Sequence, residues 1–147
     1  MAVASIIVCG VYIFIGFFAF LVFLILENFP SALWGLATGL ISLQIFHLHF
    51  LEHKQQLDLA YNDRDIGQLF IVGIICAILG GTGFLVHTSY EIATRKGISP
   101  IANNEITSII WSFMVLKVSV VLALVARRYR RNTSTEFIVP QNVEASG

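Results

Sequence analysis

Residues 66–86 read IGQLFIVGIICAILGGTGFLV, twenty-one positions without one charged side chain. A helix needs about 20 predominantly apolar residues to cross a hydrocarbon core roughly 30 Å thick. Within such a core every backbone N–H and C=O must be satisfied inside the segment, which a single run achieves only as an α-helix. This stretch therefore reads as a transmembrane helix. It sets the expectation for the rest of the chain.

Outward from it, three more runs have the same character: Ala2 to Leu26, Ser31 to Leu51 and Ile106 to Ala126. Hydrophobic residues are 56% of the 147 and charged ones 12%, against roughly 45–50% and about 25% in soluble domains. The expected fold is an all-α integral membrane protein, four transmembrane helices in a compact bundle with short loops. Residues 1–131 form that domain, and residues 132–147 read as a polar, disordered tail. The first run lacks a basic leader and a small-residue cleavage site, so it reads as a retained span rather than a signal peptide.

The connections support these divisions. Glu27 to Pro30 allows only a tight helical hairpin, with Pro30 suited to a first helical turn. Asp65 with Gln68 resembles a capping box for the third span, and Asn103 or Asn104 can cap the fourth. Lys54, Arg64, Arg127, Arg128, Arg130 and Arg131 fall on one side of the four-span arrangement, while Arg95 and Lys96 fall on the other. Six bases against two place both termini in the cytoplasm by the positive-inside rule. The sequon Asn132-Thr133-Ser134 then lies where glycosylation does not occur.

Nine acidic and nine basic residues cancel, so nothing in the charge balance points to nucleic acid. Cys9 and Cys76 sit in apolar runs without CxxC spacing, which disfavours disulfide, redox and structural zinc roles.

Small residues mark the helix-packing or partner surfaces. Gly73, Cys76, Ala77, Gly80 and Gly83 recur at steps of three and four, so they share a helical face that His87 extends. Gly35 and Gly39 give the second span GxxxG spacing, and small residues let membrane helices approach closely.

Lys117 stands at the middle of the fourth span, where a lysine costs about 2.5 to 3.5 kcal/mol. Twelve Ile, Val, Leu and Phe residues in that span offset this by at most roughly 4 to 7 kcal/mol, so insertion survives. No acid falls within any span. Gln44 is the internal partner expected from depth, with Thr38, Ser42 and Ser119 as further polar neighbours.

His49, Glu52 and His53 form an HxxEH pattern that can hold a metal, although a third ligand and a cleft have no candidates. An interfacial polar cluster is the plainer reading. His87 lies at the opposite end of its span from His47, so no haem can bridge them and no cofactor is expected. Arg127, Arg128, Arg130 and Arg131 suit anionic lipid headgroups.

The function expected from these features is a non-catalytic scaffold or accessory subunit. Its partners are membrane lipids and other membrane protein subunits. The alternative is a small transporter or channel subunit with a polar path around Lys117 and Gln44. A metal- or haem-binding membrane protein comes third.

Overall fold

Helix ends decide the layout, and three of them close on non-glycine residues in the left-handed region: Glu27 (φ 58°), Gln55 (φ 54°) and Arg95 (φ 48°). The computed structural model describes residues 2–95 and 104–136. It is all-helical, with no strand among the described residues. The helices are α1 (Ala2–Ile25), α2 (Phe29–His53), α3 (Leu57–Ala60), α4 (Asp63–Thr94) and α5 (Glu105–Glu136). All but α3 are long and apolar enough to cross a membrane.

Asn28 N–H bonds back to Phe23 O at 2.9 Å across Glu27, the six-to-one bond of a Schellman stop. Asn28 then opens α2, its side-chain oxygen accepting from Ser31 N–H at 3.3 Å, with Pro30 in the first turn. Gln56 N–H bonds to Leu51 O at 3.0 Å and ends α2 in the same way.

The cap of α4 lies earlier than the expected Asp65–Gln68 pair. Asn62 is the N-cap, and Asp65 Oδ2 accepts its backbone N–H at 3.3 Å. α4 also continues past Val86 to Thr94, where Thr88 and Thr94 hydroxyls donate to Phe84 O and Tyr90 O one turn back. Asn104 opens α5 by accepting Ile106 N–H at 2.8 Å; Asn103 lies outside the described residues. The tail expected to be disordered from Asn132 begins as helix, because no glycine or proline interrupts the chain before α5 reaches Glu136. Residues 137–147 lie outside the described residues.

Two antiparallel hairpins form, α1 on α2 and α4 on α5. Backbones meet in both. A Cβ on Gly16 would lie 2.6 Å from Gly39 N, and one on Gly80 would lie 2.7 Å from Leu116 N. The hairpins join through α2 and α5, which run parallel. Ser31 meets Ser108 at one end and Glu52 meets Tyr129 at the other, an offset of 77 residues in both cases.

Along this seam, Ser31, Thr38, Ser42 and Ile45 face Ser108, Ser112, Val115, Ser119, Leu122, Ala126 and Tyr129, all buried. Their steps of three, four and seven are those of a left-handed helix pair. Many large apolar side chains turn outward, among them Phe14, Ile25, Ile78 and Leu85, while Leu48, Ile66 and Leu122 are fully buried.

Candidate functional site

Polar side chains collect along the α2–α5 seam in three groups. Where the two helices begin, Asn28 Nδ2–H donates to Thr107 Oγ1 at 3.1 Å. Ser31 Oγ lies 2.7 Å from Thr107 Oγ1 and 2.9 Å from Ser108 Oγ. Thr107 in turn donates to Asn104 O at 2.9 Å. Small hydroxyls thus satisfy one another without leaving the seam.

Beside this group, Trp34 Nε1–H donates to His87 Nε2 at 3.1 Å. That bond makes Nε2 an acceptor and leaves the ring proton on Nδ1, which faces Glu105 Oε2 at 2.7 Å. One histidine therefore clasps α2, α4 and α5 together. The sequence reading missed this clasp, since its members are far apart in the chain. A glutamate opening the fourth span and a histidine ending the third were its only signals.

At mid-length the satisfaction stops. Thr38 donates to Trp34 O and Ser112 to Ile109 O, each at 3.0 Å. Ser42 and Ser119 share the offset of 77, so they lie at one level of the seam. Their exposures are 1% and 0%, yet neither hydroxyl oxygen has a hydrogen-bond partner among the described residues. Beyond them Ile45 and Leu122 form an apolar layer, both almost fully buried.

At the far end, the buried Tyr129 hydroxyl donates to Glu52 Oε2 and lies 3.1 Å from His49 Nδ1. A hydroxyl has one proton, so the contact with His49 is satisfied with Nδ1–H as donor. His49 and Glu52 are thereby drawn together on one tyrosine. His53 stays exposed, and no group of three or more His, Cys, Asp or Glu side chains suits a metal among the described residues.

Gln44 does not meet Lys117. It donates to Tyr61 Oη at 3.0 Å, and His47 Nδ1 lies 3.0 Å from the same oxygen. The expected pairing fails because the two side chains turn to different elements. Lys117 is exposed, and its Nζ donates to Tyr12 Oη of α1 at 2.8 Å, 5.4 Å from the ring centroid. Depth alone picked Gln44; Tyr12 was overlooked although it lies midway along the first span.

The small residues are engaged inside the chain. Gly73 rests on Ala123, Gly80 on Leu116, Gly83 on the Trp34 ring, Gly35 on Ala19 and Gly39 on Phe17. Cys76 is half-buried against the core. Ala77 instead lines an apolar groove of about 400 Å³ between α4 and α5, with Ile74, Ile78, Val120, Ala123 and Leu124 among its other walls. Arg127, Arg128, Arg130 and Arg131 are exposed at the far end of α5.

No family model, curated protein or solved structure matches this chain.

Proposed function

We propose that the chain is a four-span integral membrane protein, both termini cytoplasmic, that transports a solute by parting the α2–α5 seam. The observation that carries this reading is the pair Ser42 and Ser119, buried at one level without partners. Close packing of membrane helices requires small residues, and alanine packs as closely as serine without a polar atom to satisfy. Hydroxyls at Ser31, Thr38, Ser42, Ser108, Ser112 and Ser119 are thus more than packing demands. They suit a surface that meets water when the helices separate. The polar path runs along the seam, in place of one around Lys117 and Gln44.

The test needs no knowledge of the solute. In a Cys9→Ala, Cys76→Ala background, Ser42→Cys and Ser119→Cys should react with a charged, membrane-impermeant thiol reagent far faster than Ile78→Cys on the outer surface. Rates equal to that of Ile78→Cys would remove the transport reading.

The second reading is the accessory subunit, favoured by Lys117, whose charge turns outward at mid-span. It expects the protein to co-purify with a larger partner in mild detergent and to move no solute when reconstituted alone.

A further inference from the structure

We infer that the outward face of α5 around Lys117 docks a transmembrane helix of another protein, one carrying an aspartate or glutamate at mid-depth. This rests on the membrane placement proposed above and is independent of the transport reading.

The charge comes first. Lys117 forms no ion pair among the described residues; its partner is the neutral Tyr12 hydroxyl, which can accept one of the three ammonium protons. A base exposed at the centre of a span calls for an acid at the same depth. This chain cannot supply one in trans, because its nine acids all lie outside the four apolar runs. A second copy is therefore the wrong occupant. Anionic lipid headgroups lie about 15 Å away, half of a core roughly 30 Å thick.

The shape agrees. Val120 and Leu124 follow Lys117 by three and seven residues, so they share its face of α5. Both also line the apolar groove against α4, whose walls include the small Ala77 and Ala123. A helix laid in that groove would seat apolar side chains at helical spacing over Ala77 and Ala123. A carboxylate on its neighbouring face would reach Lys117, with Tyr12 holding the ammonium from the other side.

The test uses a defined probe: a single-span polyleucine helix with one central aspartate, compared with its leucine counterpart. Each is reconstituted with the full chain in phosphatidylcholine vesicles, and association is read by energy transfer. The aspartate probe should bind about tenfold more tightly than the leucine probe, the scale of a strong interhelical polar contact. Lys117→Met should abolish that preference and Lys117→Arg should keep it. Ala77→Leu, which fills the groove, should weaken the aspartate probe several-fold while Tm in detergent reports that the bundle is intact. Equal binding of the two probes, a preference that survives Lys117→Met, or indifference to Ala77→Leu would each overturn the proposal. Single cysteines at Ser99 and Gln141 separate this failure from that of the membrane reading: labelling from one side sinks the four-span topology, and labelling from opposite sides leaves only the docking surface at issue.

Discussion

Glu27 holds a left-handed backbone conformation that costs a residue with a Cβ about 1 to 2 kcal/mol. It occupies the Schellman position where glycine is usual. Glu27→Gly should therefore raise Tm in detergent, with a gain of about 1 kcal/mol after the entropy glycine adds to the unfolded chain. Glu27→Ala should give no such gain. The His87 clasp makes the opposite kind of prediction. His87→Leu strands both Trp34 Nε1–H and the Glu105 carboxylate, and a stranded buried polar group costs about 1 to 3 kcal/mol. Tm should fall clearly. Glu105→Gln should cost less, since its amide oxygen can still accept from His87 Nδ1–H. At this scale the sequence shows which side chains are polar but not what they meet. Depth suggested Gln44 for Lys117, whereas the direction each side chain takes around its helix gave the lysine to Tyr12.

The four long helices follow from the sequence because charge and apolarity alternate in blocks, and their ends shift only where local chemistry competes. Asn62 captures the start of α4 ahead of Asp65, and α5 outlasts its apolar run because no breaker follows. Gly35 and Gly39 were legible as a close-approach pair, but their counterpart Gly16 has no glycine at helical spacing in α1, Gly10 being six residues away. Backbone contact makes these positions intolerant of bulk. Gly80→Leu drives a side chain into Leu116 N, and Gly16→Leu drives one into Gly39 N; overpacking of this kind costs about 1 to 3 kcal/mol. Both substitutions should lower Tm in detergent and broaden the transition. Ile78→Leu, on an outward residue at 63% exposure, should leave Tm unchanged and serves as the control. Survival of Gly80→Leu would mean that α4 and α5 do not meet at this point.

Across the whole molecule, the feature hardest to read from sequence is the parallel register of α2 and α5. Steps of seven and four are visible within each helix, at Ser31, Thr38 and Ser42 and again at Ser108, Val115 and Ser119. Nothing local says that the two series face each other, because the offset of 77 is set by α3, α4 and the segment leading into α5. A crosslink tests it directly. Ser31 Oγ and Ser108 Oγ lie 2.9 Å apart, so Ser31→Cys with Ser108→Cys, in a Cys9→Ala, Cys76→Ala background, can close a disulfide with little backbone movement. Mild oxidation should remove both thiols from maleimide labelling within one chain. Ser31→Cys with Tyr129→Cys, at opposite ends of the seam, should stay reduced; the reverse outcome would mean that α2 and α5 run antiparallel. The same bond then separates the two functional readings. If the seam parts during transport, pinning its starting end should slow amide hydrogen exchange through residues 38–45 of α2, and reduction should restore it. If the chain is a static scaffold, residues 38–45 should exchange equally slowly with the bond open or closed, and partner retention should not change.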